Sequence, residues 1–316
     1  MELIGARRPS VLGVGRVCVD HFVNSQAPAA RFDGSIKQYG VEFATSVGGS
    51  VPRALVAASA TGLVSAHFVG WVAEQESEWI REWLGARGVT STLLKAEATG
   101  YSVLEYDIGE TTFRRLLSVD ARGTQGFRGS LVAELRESGF SDIYFDAYHP
   151  EFIRALTLEW TEKPCTWLDP GSTSMSAPRR ANALAAARMA DCLLSDEVFA
   201  AESRGYSPQR RLLTCISGER GAVTITGIFG EATVRPPAVD PPLASLGAGD
   251  IFRGRLLAYL ASSKLEAASL GEVRSAVAGA MAAAAWRLRR SGVVVPEAPG
   301  LKDCPLEASA LDFEGM

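Results

Sequence analysis

Histidine and asparagine are scarce in this chain, its cysteines never come in close pairs, and neither sign of charge dominates. The three histidines, His21, His67 and His149, stand too far apart for an H-E-x-x-H zinc helix or a hydrolase triad. Each reads as a packing or surface residue, with His21, beside Asp20, placed to line a pocket. The five cysteines, Cys18, Cys165, Cys192, Cys215 and Cys304, are odd in number and contain no C-x-x-C pair. That argues against a zinc ribbon or a disulfide framework and favours a reducing, cytoplasmic setting. With 32 basic and 36 acidic side chains, a net charge of -4, there is no basic footprint for nucleic acid or an anionic membrane. No window approaches the ~20 apolar residues of a membrane span, and residues 1–10 hold no apolar run of signal-peptide length. No G-x-x-x-x-G-K-[ST] loop occurs, so a P-loop site is excluded. Gly13-Val14-Gly15 lacks the third glycine of a dinucleotide fingerprint, because Cys18 holds that place.

What is present is an ordinary globular balance, 316 residues with 47% apolar and 22% charged side chains. Strand patterns fall at Pro9–Gly15, Val17–Val23, Ala66–Gly70, Val89–Leu94, Ile143–Phe145, Cys165–Leu168, Cys192–Leu194, Leu212–Ile216 and Ala222–Thr226. Between them, helical patterns fall at Pro52–Gly62, Glu74–Ala86, Leu131–Glu137, Glu151–Trp160 and Ala177–Met189, and two Ala-rich helices, Asp250–Ser262 and Glu272–Arg289, close the chain. This βα alternation predicts an α/β fold with a largely parallel sheet covered by helices on both faces. Two segments break it: a polar, non-periodic stretch over 26–46, and a hairpin pattern over 101–118 around Asp107-Ile108-Gly109-Glu110. They predict a small accessory sheet.

The segment most suggestive of chemistry is Ala244-Ser245-Leu246-Gly247-Ala248-Gly249-Asp250, which opens a helix. Consecutive backbone N–H groups in such a turn converge on one spot, where the helix dipole also favours an anion. A carboxylate beside an anion hole suits a base that takes a proton from a hydroxyl while the amides stabilise a phosphoryl group. The competing reading of Asp250 is a simple helix cap. Asp169, at the end of a strand pattern, is placed to touch a pocket. Trp79 and Trp83, four apart, read as core anchors. Arg114 and Arg115 lie on the hairpin, either as a solvated strand face or reaching over a ligand.

Gly247-Ala248-Gly249-Asp250 resembles the signature Asp-Thr-x-Gly-Ala-Gly-Asp of the ribokinase-like (PfkB) carbohydrate kinases. Gly13 to Asp20 resembles that family's first strand with its substrate aspartate. Val47-Gly48-Gly49 before an Ala-rich helix resembles its N-terminal glycine motif, and Ser217-Gly218-Glu219-Arg220-Gly221 its nucleotide-side turn. The resemblance spans Val11 to Pro296. It implies one doubly wound kinase domain over 1–316 with a β-sheet lid from insertions at about 20–46 and 97–118. The implied activity is ATP-dependent phosphorylation of a sugar or sugar-acid hydroxyl, with Asp250 as general base and Gly247, Ala248 and Gly249 as anion hole. Asp20, Gly48 and Gly49 bind substrate in this reading, and Gly218 and Gly221 bind nucleotide. Mg²⁺ accompanies ATP, and a need for a monovalent cation stays open, as does a homodimer through the lid.

Three departures matter. Ala244 and Ser245 stand where the family has Asp and Thr. With only Asn24 and Asn182 in the chain, the family's Asn-x-x-Glu motif is absent. Its counterpart is Leu194-Ser195-Asp196-Glu197-Val198, similar to ketohexokinases, where Ser195 and Glu197 would face the nucleotide and Asp196 or Glu197 would hold a magnesium-bound water. Arg53 replaces the asparagine that touches the sugar, either as a solvated helix residue or as a fork for an acidic group on the substrate. Against catalysis stands a non-catalytic, regulatory sugar- or nucleotide-binding protein, and beside it a nucleoside kinase.

Overall fold

The computed structural model describes residues 8–24, 42–106, 113–124, 126–158, 160, 163–171, 176–206, 211–218, 221–239, 247–261 and 265–289. The turn 107–110, Ala244, Ser245 and Cys304 lie outside them. The strands are β1 (Ser10–Val14), β2 (Cys18–Asn24), β3 (Glu42–Gly48), β4 (Ser65–Val72), β5 (Val89–Lys95), β6 (Gly100–Tyr106), β7 (Phe113–Val119), β8 (Asp142–Phe145), β9 (Cys165–Leu168), β10 (Cys192–Asp196), β11 (Leu213–Ser217), β12 (Val223–Gly227) and β13 (Gly230–Val234). The helices are α1 (Ser50–Ser59), α2 (Glu74–Gly85), α3 (Gly129–Glu137), α4 (Pro150–Thr157), α5 (Ala177–Ala187), α6 (Glu197–Ser203), α7 (Ala248–Ala261) and α8 (Leu270–Leu288).

Nine strands form one sheet in the order β13-β12-β11-β10-β9-β8-β1-β4-β5. Pairing is parallel from β5 through β11 and antiparallel only at β11–β12–β13. Alternation along β1 explains why both faces are covered: Val11 enters one hydrophobic cluster, with Leu55 of α1 and Leu256 of α7, whereas Leu12 and Val14 enter another, with Phe152 of α4 and Ala183 of α5. The strand order reverses at β1, flanked by β4 on one side and β8 on the other, so the carboxyl ends of β1 and β8 open the crevice where such sheets bind ligands. A second sheet, ordered β3-β2-β6-β7, joins the hairpin strands β6 and β7 to β2, which matches the strand pattern Val17–Val23, and to β3 at the end of the polar stretch.

Helix α7 reaches the crevice because at Gly254 it packs on α1 without a side chain between them. A Cβ at Gly254 would lie 2.0 Å from the Ala54 carbonyl oxygen, so only glycine permits this approach. At the other end of the hairpin, Ser269 and Glu272 form a reciprocal capping box that starts α8. Three elements escape sequence patterning, the first being β3, most of which falls in the non-periodic stretch over 26–46. Helix α6 has only seven residues and hides in a segment whose acidic start looks like a ligand motif, and β13 is a largely exposed edge strand with no apolar alternation. No described helix is long and apolar enough to cross a membrane.

Candidate active site

Asp250 is the third residue of α7, past the capping position, and its side chain is only 16% exposed. Rather than capping the helix, the carboxylate faces Arg253 one turn on, with Oδ1 3.6 Å from Nη1. Burial pushes its pKa up to about 6, against the pull of the Arg53 and Arg253 guanidinium groups, while Asp169 and Asp20 add to the rise. The group is therefore ionised at neutral pH yet basic enough to accept a proton. Gly247 precedes the helix at φ +80°, and its carbonyl receives the Ile251 N–H. The first-turn amides at Ala248 and Gly249 have no partner within the helix and sit beside the carboxylate, where the helix dipole favours negative charge.

Asp20 lies on β2 and Arg53 on α1, and they form a buried ion pair with Arg53 Nη2 2.5 Å from Asp20 Oδ2. Arg53 Nε also donates to the Val47 carbonyl at 3.2 Å, and the Cys18 thiol donates to Asp20 Oδ1 at 3.3 Å. Arg53 is thus neither a solvated helix residue nor an open fork. Its partner is the very carboxylate expected to meet substrate hydroxyls. The glycine pair gains a reason: a Cβ on Gly48 would strike the Asp20 carboxyl at 2.3 Å, and Gly49, at φ +105°, would strike the Arg16 carbonyl at 2.2 Å.

On the other side of α7 opens a cavity of about 910 Å³. Leu194, Val223, Pro236, Val239, Met281 and Leu288 give it apolar walls, and Ala248, Gly249 and Arg253 form its end towards Asp250. Ser195, Ser217 and Gly221 also line it. The Ser195 hydroxyl is buried there with no hydrogen-bond partner, an arrangement that suits a polar ligand completing it. Glu197 stands against the turn, its Oε1 2.9 Å from where a Gly218 Cβ would be, and the Gly218 N–H donates to the Ala222 carbonyl at 2.8 Å. Asp196 accepts the Phe199 N–H at 2.9 Å and so caps α6 with one oxygen. Among the described residues no three His, Cys, Asp or Glu side chains converge as a metal cluster.

Several functional neighbours were not legible in the sequence. Asp169, flagged only as a pocket residue, is fully buried and is shared by Arg253 at 3.1 Å and the Tyr144 hydroxyl at 2.9 Å. Arg253 was findable from its i,i+3 spacing to Asp250. Tyr144 was not, because it comes from a different strand. His21 points away from Asp20, as alternation along β2 requires, and lines a small cavity with Thr45, Glu76 and Trp79 instead. His149 stacks on Trp71 at 3.6 Å, and His67 lies between Thr90 and Thr92, so both are packing residues. Trp79 and Trp83 pack against the core, as their spacing suggests. The side chains of Arg114 and Arg115 lie outside the described set.

No protein-family model matches the chain, and no curated protein matches it in sequence. Solved structures do. A ribokinase from Giardia lamblia superposes with a TM-score of 0.72 at 15% identity, covering 94% of this chain and 98% of that one. A putative ribokinase from Agrobacterium tumefaciens gives 0.70 at 18% identity, with 94% and 96% covered. A nucleoside kinase from Methanocaldococcus jannaschii gives 0.67 at 12% identity, with 94% and 97% covered. Likeness at such low identity speaks for architecture, and the architecture of this chain is the ribokinase-like fold.

Proposed function

We propose that the protein is an ATP-dependent kinase that phosphorylates a hydroxyl of a sugar or sugar-acid-like small molecule. The observation that carries this reading is the placement of Asp250: a partly buried carboxylate with its pKa near 6, beside first-turn amides that have no partner within the helix, with a large apolar cavity reaching the same turn and the charges of the Arg53–Asp20 pair acting on it. A nucleotide fits the cavity through its apolar walls and the unpaired Ser195 hydroxyl. ATP would supply the phosphoryl group and Mg²⁺ would neutralise its charge, with Asp196 and Glu197 the residues that would hold the ion through water.

In this mechanism Asp250 accepts the acceptor's hydroxyl proton as the oxygen bonds to phosphorus and the bond to the leaving diphosphate breaks. The amides of Gly247, Ala248 and Gly249 stabilise charge on the transferring group. Arg253, anchored by Asp169, holds the Asp250 carboxylate in place. Asp20 receives acceptor hydroxyls, with Gly48 leaving room for its carboxyl and Gly49 letting the chain pass close to Arg16.

The test is ADP release from Mg-ATP across hexoses, ketoses, sugar acids, sugar phosphates and nucleosides. A substrate-dependent signal that Asp250→Asn lowers at least 100-fold supports the kinase and names its acceptor class. The engagement of Asp20 by Arg53 favours one alternative, a regulatory binding protein. Silence across the panel together with ligand-induced thermal stabilisation selects it.

A further inference from the structure

Four guanidinium groups cluster near the carboxyl ends of β1, β8 and β9, and three of them are engaged. Arg16 pairs with Asp120 at 3.3 Å and donates to the Ser118 hydroxyl and the Val119 carbonyl. Arg53 pairs with Asp20, and Arg253 with Asp169 and Asp250. Arg179, in the first turn of α5, has no hydrogen bond and no ion pair among the described residues. Its guanidinium lies over the Tyr148 ring, 4.1 Å from the centroid, and its buried Nε has no acceptor. Asp146 provides the nearby negative field, but both its oxygens are taken, by the backbone N–H of Arg16 at 2.7 Å and of Tyr148 at 2.9 Å.

Arg179 belongs to the same site as Asp250. Asp250 contacts Arg253, Arg253 contacts Asp169, and Asp169 Oδ1 accepts the Gly171 N–H at 3.0 Å. A Cβ on Gly171 would in turn lie 3.2 Å from Arg179 Nη2. Stacking on Tyr148 fixes the plane of the fork and leaves its edge for a planar or tetrahedral oxyanion. A neutral acceptor offers the buried Nε at most an uncharged hydroxyl bond, whereas an anionic one completes it with a charge-assisted and bidentate one.

We propose that Arg179 is the specificity residue of this site and reads a carboxylate or phosphate on the acceptor. This deepens the kinase reading and rests on it. The experiment measures binding without nucleotide by calorimetry, and ADP release with Mg-ATP, for two matched pairs: gluconate with glucose, and fructose 6-phosphate with fructose. Both readouts are taken on wild type, Arg179→Gln, Arg179→Lys and Asp250→Asn, each first shown to be folded by its melting temperature.

At least one anionic probe is expected to bind wild type 10-fold or more tighter than its neutral partner, and Arg179→Gln to erase that preference by about 10–100-fold. Arg179→Lys restores part of it, since charge remains without the fork. Preference for gluconate assigns a carboxylate, and preference for fructose 6-phosphate a phosphate. Equal binding within both pairs, failure of both anionic probes to bind, or a preference that survives Arg179→Gln overturns the proposal. An Arg179-dependent preference without any ADP release overturns the kinase reading and leaves the anion contact standing. ADP release lost in Asp250→Asn but with no anionic preference does the reverse.

Discussion

The carboxyl of Asp250 titrates near 6 because burial outweighs the attraction of two arginines, and a base works only when ionised. The value of kcat/KM should therefore rise about tenfold per pH unit up to pH 6 and level off above it. A profile whose limb falls near 4 would mark the carboxylate as fully solvated. Asp142 offers a second check at this scale. It is buried beneath the Trp167 indole, which donates to it at 2.8 Å, and burial raises its pKa to about 6 despite that bond and the one from Ser141. A raised carboxyl pKa stabilises the fold below the unfolded value near 4, and this contribution disappears as pH rises through 6. Asp142→Asn should thus gain on wild type between pH 4 and 7, by up to about 3 kcal/mol, as read from urea midpoints. A pH-independent difference would disprove it. Sequence made the glycine turn and the helix start at Asp250 legible because their geometry is local to one turn. The Arg53–Asp20 pair was out of reach, since its partners are joined only by the packing of β2 against α1.

At the scale of elements, the contact between α1 and α7 carries the site, because it brings Arg53 within the electrostatic reach of Asp250. Gly254→Ala places a methyl group against the Ala54 carbonyl. It should cost about 1–3 kcal/mol in urea unfolding and lower kcat, as the helices part and the carboxylate loses its setting. Ser269→Ala removes one half of the capping box of α8. A loss of about 1 kcal/mol with unchanged kcat is the expected result, because this cap lies far along the chain from the anion loop. Helix and strand periods in the sequence located most elements, including the hairpin strands β6 and β7. They failed at β3, α6 and β13, where the first lies mostly in a non-periodic stretch, the second is too short to show a period and the third has almost no buried face.

For the molecule as a whole, the α/β layering was legible from alternating patterns, whereas the order of strands was not, because periodicity says nothing about which strands become neighbours. The cavity beside α7 likewise appears only when β10, β11, β12 and α8 are assembled. Ala284→Phe should fill part of it and abolish the ADP-induced rise in melting temperature while preserving gluconate binding. Loss of both would place the two ligands in one space. The Arg53–Asp20 pair joins a helix of the large sheet to a strand of the small one, and it changes the meaning of acceptor affinity. In the proposed kinase an incoming hydroxyl would meet a carboxylate each of whose oxygens already accepts one bond, from Arg53 or from Cys18, so its uptake would be a sharing of charge rather than a simple addition. The dissociation constant would then measure how much of the guanidinium's hold the acceptor weakens, and how well that guanidinium is resettled. A sugar that only weakens the pair would bind weakly in a well-formed cleft; one that also offers Arg53 a new oxygen would bind tightly.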